Sequence, residues 1–276
     1  EVSSLIQGVD LAIGTLNATI SDTPIPTGCT RTFLLVGRAE NAAALQRAGF
    51  DAISAATNHI KNCGIASCGD TAFLETLQNL EAAGVQPIGA GSDLAEALEP
   101  EVFEIKGVRF AVVSLGEIES MAFASEDSPG IAVLTEENLR SSIRAAKDAG
   151  DVVIALPHWG PEYSVNPNYR QLDFARIAVE AGADLVVGNH THTVQAYETI
   201  DGIQVFYGLG NFMFDQGWSQ ETSQGVALVV TFKGAEYTGF ELIPVHIDGD
   251  GRVHIAGEAE AGEILERMES ASEKLN

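Results

Sequence analysis

FARIAVEAGADLVVGNHTH, from Phe174 to His192, decides the fold. Its first half reads as a helix closed by Gly182, a residue able to take the left-handed conformation that stops a helix. A short apolar run, ADLVV, follows at once, and His190 and His192 stand just beyond it. The same order recurs three times: RAENAAALQRAG before FDAISAA, SSIRAAKDAG before DVVIAL, and DTAFLETLQNLEAAG before VQPIGAG. In the last of these, Phe73, Leu74, Leu77 and Leu80 lie near one helical face, and Asp70 is placed to cap the start. Runs that are apolar throughout rather than alternating fit strands buried on both faces, which parallel sheets between helices require.

The second half changes character. TVQAYETI, IQVFYGL, GVALVVTF and TGFELIPVHI are separated by Asp201-Gly202, a Gly/Ser-rich stretch and Lys233-Gly234, a pattern of antiparallel strands and hairpins. The last segment, AEAGEILERMESASEKLN, reads as a terminal helix with an apolar stripe through Ile264, Leu265 and Met268. A parallel first half and an antiparallel second half predict an α/β fold: two sheets packed face to face, flanked by helices. At 276 residues, with nothing that looks like a linker, residues 1–276 are expected to form one domain.

Four of the six histidines follow predicted strands: His59 after DAISAATN, His158 after VVIALP, and His190 and His192 after LVVGN. If those strands are parallel, their carboxyl ends meet at one sheet edge, where open α/β folds place ligands. Imidazole nitrogens bind divalent metals, and an amide oxygen such as that of Asn58 can complete the shell. His190 and His192 are alternate residues and would point to opposite sides of an extended chain. They serve one site if Gly188 and Asn189 turn the chain, or else bind different metals. Asp215, Tyr207 and Asn211 are available to hold a second ring nitrogen. In PHWGPEY, Trp159 and Glu162 would wall a polar ligand, and Arg170 could clamp an anionic group. His246 and His254 lie in hairpin-like sequence without companions and are read as surface residues.

The formal charge is −24, from 39 acidic and 15 basic residues. Such a surface repels phosphate backbones and anionic bilayers, which argues against nucleic acid as a partner. No apolar run approaches the ~20 residues that span a bilayer, so direct membrane insertion by this segment is not expected. No signal peptide precedes EVSSLIQGVDLAIG, and the abrupt start suggests a processed or truncated product. Of three cysteines, Cys63 and Cys68 lie close behind His59. A local disulfide is the preferred reading over free thiols or a metal pair, and it would place the protein outside a reducing cytosol. Cys29 would then be unpaired.

The strings ATNHIKNCG, GAGSDLAEALEP, ALPHWGPEY, GADLVVGNHTHTVQAYE and FYGLGNFMFD resemble the CapA or PgsA-type capsule and poly-γ-glutamate synthesis proteins. These form a branch of the calcineurin-like metallophosphoesterase superfamily, and the resemblance runs from about Asp10 to Asp215. It implies an α/β/β/α sandwich with a dinuclear site at loop tips, holding one or two divalent ions (Mn, Fe or Zn). Asn58, His158 and His190 would bind one metal and His192 the other, with His59 as the acid or charge stabiliser. Tyr207 and Asn211 would line the cleft. The family's usual first strand, with its Gly-Asp motif, is missing. Its Asn-Leu-Glu motif stands here as Thr15-Leu16-Asn17, so an amide at Asn17 occupies the place of a bridging carboxylate. The function implied is metal-dependent phosphoester hydrolysis, or cleavage of an acidic polymer by the same chemistry. The alternative is a non-hydrolytic component that binds capsule material or poly-γ-glutamate during assembly or export. Either reading implies an extracytoplasmic or secreted protein, with association with the cell envelope as one form of it.

Overall fold

The computed structural model describes residues 2–24, 34–61 and 66–275, the side chains of residues 66–68 excepted. Its centre is a six-stranded sheet. In spatial order the strands are Tyr197–Ile200, Ile203–Phe206, Leu185–Val187, Val152–His158, Val108–Gly116 and Glu101–Ile105. The four inner strands run parallel, and the two at the edges are antiparallel to their neighbours.

Alternate residues of this sheet face different layers, as the two-residue period of a strand dictates. Val113, Leu115, Val153, Ala155 and Val186 pack against Leu139, Ile143 and Ala146 of helix Glu136–Ala149 and Phe174, Ala175 and Ala178 of helix Tyr169–Ala181. On the other face, Val112, Val152, Ile154, Leu156, Leu185 and Phe206 meet a second β layer. Part of that layer is the antiparallel sheet of Gln224–Lys233, Glu236–Ile247 and Val253–Ile255, which contributes Leu228, Val230, Phe232, Phe240 and Leu242. The rest is the parallel sheet of Ile13–Thr15, Ala52–Ser54 and Gln86–Ile88, which contributes Ala52 and Ile88. Helix Ala66–Ala82 closes its far side, with Phe73 and Leu77 against Ala55, Ala56 and Ile60, and Leu80 against Ile53 and Val85. The terminal helix Glu258–Ser272 buries Ile264 and Met268 against Val194 and Val226. The result is the expected α/β/β/α arrangement of mixed sheets flanked by helices.

Local expectations fare unevenly. Gly49 and Gly182 close their helices in the left-handed conformation (φ 109° and 108°), whereas Gly150 is extended (φ −126°). Gly150 packs tightly on Ala111 instead, where an added Cβ would meet the Ala111 Cβ at 2.6 Å. Asp201 (φ 48°) and Gly202 (φ 87°) form the tight hairpin turn that their types favour. Asp70 does not cap a helix, because the helix begins at Ala66; its carboxylate meets the buried Lys61 Nζ at 2.5 Å. The Cys63–Cys68 bridge falls outside the described residues, as does Cys29, and no disulfide is found among the described ones. The disulfide is therefore not carried forward.

Gly188 is tightly packed near the sheet's carboxyl edge. A Cβ there would lie 2.2 Å from Trp159 Nε1 and 2.3 Å from the Tyr207 carbonyl oxygen. Gly188→Ala is expected to destabilise the fold by about 1–3 kcal/mol or more, read as a lower urea midpoint at unchanged slope. An unchanged midpoint would contradict this packing.

Candidate functional site

His158 ends a strand that is paired along its whole length with Val108–Gly116 and continues into a bridge with Asn189. Its ring therefore arrives at the carboxyl edge with little freedom and is 1% exposed. Nδ1 donates to Asn189 Oδ1, and Nε2 accepts from the Asn58 backbone N–H at 3.4 Å, with Asn58 Oδ1 3.0 Å away. Asn58 comes from the loop after strand Ala52–Ser54, so two sheets meet at this one imidazole.

His190 packs edge-on against His158, ring centroids 4.6 Å apart, and lies 6.2 Å from His192. The alternate pair shares one site because the chain turns at the histidines themselves. His190 has φ 96° and His192 φ 57°, left-handed values that cost a non-glycine residue energy. Gly188 and Asn189, expected to make the turn, do not: Gly188 is needed for close packing and Asn189 holds His158. Asn211 fixes His192, its Oδ1 accepting from Nδ1 at 2.8 Å, while its Nδ2 donates to the Thr222 carbonyl at 2.9 Å. His59 stands near enough to depress the pKa of both His158 and His190, and its backbone N–H donates to Asn17 Oδ1 at 3.1 Å. The four histidines thus come together from three separate stretches of chain.

Burial decides their charge. It pushes His158 from 6.5 down to about 3 and His190 down to about 2, with neighbouring imidazoles adding to the effect. Burial also lowers His192, against the opposing hydrogen bond from Asn211. At neutral pH His158, His190 and His192 form an uncharged floor together with the amides beside them.

That composition overturns the expected metal centre. Among the described residues, no three His, Cys, Asp or Glu side chains are grouped so as to hold a metal ion. The physical reason lies in the donors. Both nitrogens of His158 are engaged by Asn189 and Asn58, Nδ1 of His192 is engaged by Asn211, and the Asn17 oxygen is engaged by His59. A carboxylate that could balance a dication is replaced at Asn17 by a neutral amide. The residues do not fit the expected Mn, Fe or Zn, and the assignment of Asn17, Asn58, His158, His190 and His192 as ligands is withdrawn.

The expected ligand wall is also redistributed. Trp159 and Tyr207 are fully buried; Trp159 Nε1 donates to the Tyr207 carbonyl at 2.9 Å, and the two rings stack at 5.8 Å. Tyr207 in turn donates its hydroxyl to Glu198 at 2.6 Å, so both rings brace the site from within the core. Arg170 ion-pairs with Glu117 at 2.8 Å and lies over the Phe174 ring, while the other Glu117 oxygen accepts from the Gly160 N–H at 2.9 Å. Arg170 fastens the PHWGPEY loop rather than standing ready for an anion. Glu162 is exposed beside the cluster. Tyr163, which no sequence pattern singles out, stacks on His192 at 5.9 Å and meets Trp218 edge-on at 6.2 Å; Phe214 packs against His192 at 4.7 Å. Only proximity in the fold connects Trp218 and Phe214 with the histidines. His246 and His254 lie away from the cluster, paired with Glu260 and Asp248 respectively.

Residues 1–216 match the family described as bacterial capsule synthesis protein PGA_cap. The chain is 34% identical over 211 residues to the PGA biosynthesis protein CapA of Bacillus subtilis, covering 75% of this chain and 54% of that protein. It is 32% identical over 191 residues to the capsule biosynthesis protein CapA of Bacillus anthracis, covering 67% and 45%. The chain thus spans about half the length of the curated relatives it matches. Among solved structures, a hypothetical protein from Thermus thermophilus superposes with a TM-score of 0.54 at 14% identity, over 88% of this chain and 90% of that one. A Staphylococcus aureus chain provisionally described as a 5′-nucleotidase, solved with α-ketoglutarate, gives 0.50 at 15%, over 83% and 44%. These likenesses place the fold among the metallophosphoesterase-like architectures.

The depressed imidazoles carry a pH dependence of definite sign. A histidine neutral when folded supports stability fully above its unfolded pKa, near 6.5, and loses it as pH falls toward its folded value. His158, at about 3 when folded, should cost roughly 3 kcal/mol by pH 4. Denaturant titrations at pH 7 and pH 4 should show this loss, and His158→Gln should shrink it. An identical pH difference in the variant would mean that His158 ionises near its ordinary value.

Proposed function

The chain belongs to the bacterial capsule synthesis PGA_cap family, and from that premise we propose that it serves as a non-hydrolytic, polymer-binding component of capsule or poly-γ-glutamate assembly or export. The observation that carries this reading is a cluster of neutral, buried imidazoles in which, among the described residues, no three His, Cys, Asp or Glu side chains are grouped to hold a metal ion. A two-metal hydrolase needs carboxylates to hold two cations about 3.5–4 Å apart around an activated water. Here His158 and His192 are bonded to amides, and the neutral rings of His158 and His190 pack edge to edge. Such a floor is suited to holding a ligand through neutral hydrogen bonds and ring contacts, with no group on hand to generate a hydroxide.

Work on an extracellular polymer implies a position on the outer side of the membrane or in the cell envelope. Among the described residues, no helix is long and apolar enough to cross a bilayer. The ligand class is an acidic polymer or its short fragments. The −24 charge argues against nucleic acid and requires that such a polymer be held through something other than a general basic surface.

Two measurements separate the readings. Calorimetric titration with short γ-linked glutamate oligomers should show saturable binding in EDTA, undiminished by removing metals. A generic aryl phosphate should be turned over no faster with added manganese than without it. Manganese-dependent turnover that disappears in His190→Ala would restore the hydrolase and overturn this proposal.

A further inference from the structure

Two large aromatic rings stand open beside the cluster. Tyr163 is 48% exposed and Trp218 64%, although rings of this size bury well wherever a core admits them. They are not loose. The Tyr163 ring is held between His192, on which it stacks, and Trp218, which meets it at 73°. Its backbone takes a left-handed φ of 60° and its N–H donates to the Thr191 carbonyl at 2.8 Å, while Gln216 Nε2 donates to its hydroxyl at 3.4 Å. A strained backbone that holds an aromatic ring in solvent, next to a second exposed ring, is the kind of arrangement that persists at ligand clamps.

The charge around these rings has one sign. Glu162 precedes Tyr163 and is exposed; after burial, its charge is what most raises the pKa of the Tyr163 hydroxyl, and it also acts on His192. Arg170, the nearby cation, is already bound to Glu117. The cluster behind is neutral, and the whole chain carries −24. Aromatic faces set at a steep angle beside a carboxylate, in a strongly negative field, complement a cation. They do not complement a carboxylate.

We infer that Tyr163, Trp218 and Glu162 form a receptor for a single ammonium group, and, resting on the polymer reading above, that this group is the amino end of the acidic chain. A γ-linked glutamate polymer bears a carboxylate on every residue and one amine, at its terminus. The interior of such a chain is repelled by this protein, and its amino end is the one part that is attracted. The domain therefore grips polymer ends, one per chain, whatever the polymer length.

The test uses Trp218 fluorescence, with buried Trp159 as an internal constant, and calorimetry on the whole chain. The probes are γ-linked glutamate oligomers of about ten and about thirty residues, their N-acetylated forms, and tetramethylammonium. We expect N-acetylation to weaken binding at least about tenfold, Trp218→Ala to do the same for the free amine, and both lengths to bind one protein per chain. Tetramethylammonium should perturb Trp218 and compete with the oligomers. Equal affinity for acetylated oligomers, or more proteins bound on the longer chain, overturns end recognition while leaving polymer binding intact. Tetramethylammonium binding without oligomer binding sustains the ammonium receptor and overturns the polymer reading. Binding of neither overturns both.

Discussion

The structure depends on imidazoles being buried at strand ends without a charge to oppose them. His158 cannot leave the edge, because its strand is paired along its full length and its ring is locked by amides from two different loops. Water is excluded from it, so the protonated form is disfavoured and the ring stays neutral. A neutral ring is satisfied by neutral partners, and the loops supply amides: Asn58, Asn189 and Asn211. From that choice follow the uncharged floor and, among the described residues, the lack of a group placed to hold a metal ion.

Much of this architecture could be read in the chain. Helices closed by glycine and followed by uninterrupted apolar runs predict parallel strands, and the histidines after those runs converge because parallel strands end on the same side. What escaped was set by partners far away in sequence. Arg170 looks like a free cation until Glu117, in a different strand-end loop, is seen to hold it. Trp159 reads as a ligand wall until the Tyr207 carbonyl draws its indole into the core. Asp70 reads as a cap because its own helix starts one turn earlier than the local pattern suggests. Residue types show which side chains own a lone pair but not where that lone pair is already used. Asn17, an amide where the resemblance leads one to expect a carboxylate, points the other way within the sequence itself.

Fold and chemistry are separable, so converging strand ends do not by themselves establish hydrolysis. The backbone strain at His190, His192 and Tyr163 is concentrated where the strand ends meet, and the sheet beneath is rigid enough to sustain it. The neutral floor and its exposed aromatic rim sit in a chain of net charge −24.

The buried rings of His158 and His190 are uncharged, and imidazole nitrogen NMR reads this directly. With uniformly nitrogen-15-labelled protein at about pH 5, well above both folded pKa values, His158 and His190 should each show the two well-separated nitrogen shifts of a neutral ring, with the proton of His158 on Nδ1. Imidazolium shifts at that pH for either residue would contradict the account.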